Sequence, residues 1–325
     1  MLDPVPWFVG GGAVHSPEVA RLLAYAATAG AEGIIEPTDL KVAPLAVPGQ
    51  SIRVLPGAGV IKSRAASNAR QSYIASNPTE TAVGVTATGS GAGRSDLVVL
   101  QIEDPNVSGS GWPVPADRAA GPYVFARIIP NVPAGTTRLQ DVSGYAGRSA
   151  ITLARIDLPA STATVTAGMI VDLRKMCQAR TARFYDVDAG SGGRLTTNAQ
   201  AQWPTNVRQV EIPEWATHFI GKVGLNQLQQ TGGNVYVKVA VALGPDGSAV
   251  NSSDTYIDND LPSGATGRVS ATVLIGAAVP TAFRGTRQRL QIISTRQNVS
   301  SDPGFVDAAA GSQIEWDIQF SERPS

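Results

Sequence analysis

Ile314, Trp316, Ile318 and Phe320 alternate with Gln313, Glu315, Asp317 and Gln319 near the end of the chain. Successive side chains on an extended strand point to opposite faces, so this spacing puts four large apolar groups on one face and four polar ones on the other. A slip of one residue would carry every apolar group into water, which fixes the register. One such strand cannot bury its own apolar face; it needs neighbours in a sheet and a second layer over that sheet. The same period of two recurs in Val235, Val237, Val239 and Val241, set against Tyr236, Lys238, Ala240 and Ala242. It recurs again in Val269, Ala271, Val273 and Ile275, and in Leu290 and Ile292. A Thr231-Gly232-Gly233-Asn234 turn precedes the first of these runs. Residues 177–325 are therefore expected to form an antiparallel, jelly-roll-like β-sandwich.

The first half is also β in character, with a different texture. Ser51–Leu55 and Gly59–Lys62 flank a Pro56-Gly57 turn, and Thr81–Thr88 alternates small and apolar residues. Leu97-Val98-Val99-Leu100-Gln101-Ile102 is a continuous apolar run, as expected of a strand buried on both faces. Tyr123–Ile129 and Ile151–Ile156 are further strand candidates between Gly- and Pro-rich loops. One helix is predicted ahead of them: Ser16 caps it, Pro17 takes the first position, Glu18 favours the positive end of the dipole and Gly30 stops it. Its stripe of Val19, Leu22, Leu23 and Ala26 either packs on its own domain or docks on a neighbouring subunit. A fresh strand at Ala182–Tyr185 follows the basic stretch Arg174–Arg180 and marks a boundary. The expected organisation is an all-β chain in three parts: an N-terminal arm with one short helix at 1–35, a β-sandwich or barrel module at 36–176, and the sandwich at 177–325.

Charge and chemistry narrow the function. Lys plus Arg and Asp plus Glu each number 26, with no basic run, so the footprint of a nucleic-acid partner is missing. Only 16% of residues are charged, which leaves little like-charge repulsion to oppose self-association, although a GC-rich genome produces the same bias. No stretch approaches the length of a membrane span, and Met1-Leu2-Asp3-Pro4 opens without the basic segment of a secretory signal, so synthesis in the cytoplasm is expected. Cys177 stands alone, and His15 and His218 lie in different halves, which gives no His/Cys metal site. No nucleophile elbow or phosphate loop stands in a suitable context, so the chain is not expected to be an enzyme. Asp254, Asp258, Asn259 and Asp260 cluster as calcium ligands do, but without the spacing of an EF-hand, and Asp and Asn are also common turn residues; no cofactor is assigned. Trp203, Trp215 and Tyr256 sit beside loops, where they either stack on a sugar or receptor or pack on their own sheet. Arg94 and Asp96, Arg155 and Asp157, and Asp172 and Arg174 lie beside apolar runs; as ion pairs they lock loops within a subunit, staple neighbours, or stand solvated and inert.

Some of these segments fall in a familiar order. Val54-Leu55-Pro56-Gly57-Ala58-Gly59-Val60 reads as an opening hairpin, and Arg94-Ser95-Asp96-Leu97-Val98-Val99-Leu100 as an Arg-x-Asp-hydrophobic-Val strand. Ala154–Pro159 followed by Thr166–Arg174 closes on hydrophobic-x-Asp-Leu-Arg. Residues 40–176 thus resemble the N-terminal region of minor tail and baseplate proteins of long-tailed phages, especially those of actinobacteria. The resemblance implies a structural component of the phage tail tip, located in the virion tail. Its expected partners are other copies of itself, as a trimer, and neighbouring tail proteins. The C-terminal sandwich would then be a peripheral module, facing the host or other subunits. A second reading is a receptor- or carbohydrate-binding adhesion protein that contacts host cell-surface glycan, and a third, a cell-wall hydrolase, has no motif behind it.

Overall fold

The computed structural model describes residues 11–107, 111–246, 249–297 and 302–324, so the opening Met1–Pro4 lies outside it. The chain divides into two compact units, Met1–Gln178 with Arg323–Ser325, and Ala179–Glu322.

The first unit begins with α1, Pro17–Ala27, capped by the Ser16 hydroxyl, which accepts the Val19 N–H at 3.2 Å. The helix is fastened to its own unit, since Arg21 Nε donates to Gln71 Oε1 at 2.7 Å. Its stripe is nevertheless poorly covered, with Leu22 and Leu23 48% and 44% exposed. Three small antiparallel sheets follow. One joins β1 (Gly33–Ile34), β4 (Gly57–Lys62) and β5 (Ser72–Asn77), and another joins β2 (Val42–Pro44), β3 (Ser51–Val54) and β6 (Thr81–Gly84). Residues 54–60 are therefore not the expected hairpin: the chain changes sheets at Pro56-Gly57, and β3 and β4 do not pair with each other. The third runs β10 (Ile170–Asp172), β9 (Ala150–Leu158), β7 (Arg94–Ile102), β8 (Val124–Val132). The apolar run of β7 explains its central place. Val98, Leu100 and Ile102 join one core cluster, while Leu97 and Val99 turn the other way into a second. The unit closes on itself where the Ile34 N–H donates to Lys175 O and the Cys177 N–H to Ile34 O, both at 2.8 Å.

The second unit is a jelly roll. Its eight long strands are β11 (Thr181–Ala189), β13 (Ala201–Glu211), β14 (His218–Thr231), β15 (Asn234–Leu243), β17 (Thr255–Asp260), β18 (Thr266–Ala278), β19 (Arg287–Arg296) and β21 (Gln313–Ser321). One sheet runs β11-β21-β14-β18 and the other β13-β19-β15-β17. Counted along the chain, these orders are first-eighth-third-sixth and second-seventh-fourth-fifth, which is jelly-roll connectivity. Short strands β12 (Gly193–Arg194), β16 (Val250–Asn251) and β20 (Phe305–Ala308) extend the margins.

The alternation seen in the sequence sets the two faces. Ile314, Trp316, Ile318 and Phe320 are each no more than 1% exposed and meet Leu225, Val223, Gly221 and Phe219 across the ladder to β14. The Phe219 and Phe320 rings lie 6.3 Å apart between centroids. Removing the large buried Trp316 leaves a cavity and deprives Asp188 Oδ2 of the indole N–H it accepts at 2.8 Å. Trp316→Ala is therefore expected to cost about 3–5 kcal/mol, read as a shift of the urea midpoint followed by far-UV circular dichroism.

Candidate functional site

The polar groups of the first unit form a repeated device. Residues two apart on a strand share a face, as do Arg94 with Asp96 on β7 and Arg155 with Asp157 on β9; a third Arg/Asp pair of the same spacing, Asp172 and Arg174, lies where β10 ends. Arg94 Nε donates to both oxygens of the fully buried Asp96, at 2.9 and 3.1 Å. Arg155 grips Asp157 with two bonds of 2.8 and 2.9 Å, and Arg174 grips Asp172 with Nη2 at 2.7 Å. Each guanidinium then spends other N–H groups on a remote backbone carbonyl of its own unit. Arg94 reaches Thr86 and Ala87, Arg155 reaches Thr136, and Arg174 reaches Pro37 and Asp39, the last at 2.7 Å. The pairs thus clamp loops within the subunit, and their donors are turned inward. Ser95 Oγ also donates to Asp157 across the β7–β9 ladder, at 2.7 Å.

Two of these carboxylates are held low. For Asp157 the Arg155 hydrogen bonds are the main cause, and burial opposes them. For Asp172 burial is the largest influence and pushes the carboxyl up, but the Arg174 side chain, its backbone N–H and nearby Lys41 outweigh it.

The aromatic candidates are not brought together. Trp203 is 3% exposed, with its indole N–H on Gly193 O at 2.9 Å, so it packs the core and offers no face to a ligand. Trp215 is half-buried against the same core beneath the Arg180 guanidinium, 5.6 Å from its ring centroid. Tyr256 is 49% exposed and stacks on Tyr236 at 5.4 Å. The acidic cluster, read as calcium-like ligands or turn residues, is mostly strand β17, because Ile257 is buried and draws the segment into the sheet. Asp258 and Asp260 stand at alternate positions along it, and Asp254 pairs with Lys238 Nζ at 2.9 Å. No group of three acidic, His or Cys side chains suited to a metal occurs among the described residues.

The surface that sequence reasoning missed is the outer face of the β11-β21-β14-β18 sheet. Cross-strand register lays out one row as Tyr185, Asp317, Lys222 and Leu274, with a second of Arg183, Gln319, Ile220 and Gly276. Arg183 pairs with Asp317 at 2.7 Å and Lys222 with Glu315 at 3.1 Å, so a belt of neutralised charge runs down the middle. Apolar groups flank it: Tyr185 and Val187 on β11, 55% and 45% exposed, and Ile220 and Leu274 towards β18, 54% and 70% exposed. A groove of about 920 Å³ crosses this face, from Arg183, Asp317 and Gln319 past Ile220 and Lys222 to Leu274–Gly276 of β18, with Asn251–Ser253 also in its wall. The available signal was the presence of Ile220 and Leu274 at positions where the alternation calls for polar residues.

No protein-family model matches the chain, and no curated protein matches it. Among solved structures, the VP2 subviral particle of infectious bursal disease virus is similar at 10% identity, over 95% of this chain and 79% of that one, with a TM-score of 0.27. The T13 particle of the same virus gives 10% identity over 91% and 70%, with a TM-score of 0.26. Carbohydrate-binding modules of the β-sandwich superfamily give 11% over 88% and 98%, with a TM-score of 0.18. These scores are too low to carry function, which has to be read from this chain's own residues.

Lys cannot reproduce the guanidinium fork, so Arg174→Lys is expected to destabilise the protein by about 1–3 kcal/mol. The pH dependence has a definite sign. Asp157 and Asp172 titrate below the ordinary 3.8, so their stabilisation is present above that value and is lost as pH falls through the lowered one. Thermal melts of the wild type should therefore fall on acidification below about pH 4, and Asp172→Asn should melt lower at neutral pH but lose less on acidification.

Proposed function

We propose that this chain is a non-enzymatic structural subunit of a phage tail tip, built for self-association, with the first unit as the attachment module and the jelly roll as the peripheral one. One observation carries this reading. Three of the four segments on which the resemblance to tail and baseplate proteins rests, 94–100, 154–159 and 166–174, fold side by side as β7, β9 and β10 of one sheet, while 54–60 lies in the two smaller sheets. Their Arg/Asp signatures are the three loop clamps. Motifs sixty residues apart in sequence that converge on one locked sheet suit a rigid module that must keep its shape under load. A symmetric oligomer, a trimer by the resemblance, is the arrangement in which such subunits close an assembly. Its neighbours would then be other tail proteins, and its location the virion tail.

Exposed Tyr256, stacked on Tyr236, favours a second reading in which the jelly roll also touches host glycan through an aromatic face. The two readings separate in one preparation. Purified virions probed by mass spectrometry and by antibody labelling in the electron microscope should contain the chain at the tail tip. Its absence from intact particles would overturn the structural reading. Loss of host-cell binding by the full chain on Tyr256→Ala would establish the second, and unchanged binding would remove it.

A further inference from the structure

We infer that the open edge of β18, with the groove beside it, is the surface through which a second copy of this chain docks. The inference rests on the assembly reading above and names the contact. Among the described strands, β18 is hydrogen-bonded on one side only, to β14. It is thirteen residues long, and from Ser270 to Ala278 it carries no charge and no proline. Natural proteins guard such edges with lysine, proline or a bulge, because unpaired backbone groups there recruit another strand. The irregularity in this ladder lies on the β14 side between Leu225 and Leu228, so 272–278 run regular and unguarded.

The side chains along the edge point to the same occupant. Leu274 and Ile220 are the most exposed aliphatic groups of this sheet's outer face, and both line the groove. Leu274, Ile275 and Gly276 line it together although they alternate between faces, so the groove reaches the strand's edge, and from there it runs over Ile220 and Lys222 towards Asp317 and Arg183. Its volume of about 920 Å³ is room for an extended segment rather than a single side chain. The charged groups in its wall are already paired laterally, Arg183 with Asp317 and Lys222 with Glu315, so the surface has no free cationic field for a polyanion. No aromatic ring lines the groove, so a sugar would find no stacking platform. What complements an uncharged strand edge beside two aliphatic side chains is another strand edge of the same kind, supplying main-chain hydrogen bonds and apolar cover. Identical copies supply it at the stoichiometry a closed assembly requires.

Light scattering and sedimentation of the full-length chain over a range of concentrations test this. The wild type should self-associate. Leu274→Arg, which puts a charge on an already exposed position, and Ser253→Arg, which fills the groove from its opposite wall, should each weaken association by about tenfold or more. Circular dichroism melts should stay unchanged in both, since neither position is buried. Tyr185→Arg, on the opposite margin of the same face, should leave association intact. A wild type that remains monomeric, or one that associates undiminished in both groove variants, overturns the inference. So does loss of association in Tyr185→Arg alone. None of these outcomes bears on whether the chain is present in virions, so failure of this contact is distinguishable from failure of the tail-tip reading.

Discussion

Strand β14 has hydrogen-bonded neighbours along both margins, and the jelly roll is arranged around it. β18 runs along one side, while β21 and then β20 occupy the other. Because the strand is held twice, its inward residues Phe219, Val223 and Leu225 are fixed against both neighbours at once, and all three are essentially inaccessible to water. The tightness of this packing shows at Gly221, where an added Cβ would come within 2.2 Å of Ile318 Cδ1. A hydrogen there lets the isoleucine fill the column between the sheets, and any larger group would have to displace it.

How much of this could be read in advance depended on whether the determining force was local. The period of two in β15, β18 and β21 is a direct imprint of burial on one face, so the sandwich and its inner residues were legible. The apolar run of β7 likewise announced a strand covered on both sides, and its residues divide between two clusters. Residues 254–260 misled because Asp and Asn favour turns, whereas the burial of Ile257 between β15 and the core held the segment extended. Sequence alone leaves Trp203 between ligand contact and packing, because proximity to a loop says nothing about which way a ring points, and burial decides for packing. The exposed pair of Ile220 and Leu274 became meaningful only once register set them diagonally across the β14–β18 ladder.

The Arg/Asp pairs illustrate an intermediate case. For Arg94 with Asp96 and Arg155 with Asp157, spacing two apart on a strand foretold who would meet whom, since both side chains emerge on one face. It did not foretell the use of the remaining guanidinium donors, because the carbonyls of Thr86, Thr136 and Asp39 are brought there by chain segments elsewhere in the unit. A carboxylate at one end and a backbone carbonyl at the other turn each arginine into a short strut, oriented by its charge and loaded through neutral bonds. Asp186 and Asp188 of β11 use the same logic at the jelly roll, where Arg208 from β13 pairs with both.

The two ends of the jelly roll meet. Thr181 at the start of β11 lies opposite Ser321 at the end of β21, and just beyond them Arg180 Nε donates to Glu322 Oε2 at 2.9 Å, with the carboxylate almost wholly buried. Entry and exit are therefore one point, fastened by a single clasp. A domain tied off in this way behaves as a cassette: a different sandwich with the same spacing between its ends could be spliced in without redrawing the module that carries it. Recombination would then offer such a chain new outer surfaces in one step, while point mutation continued to tune the old one.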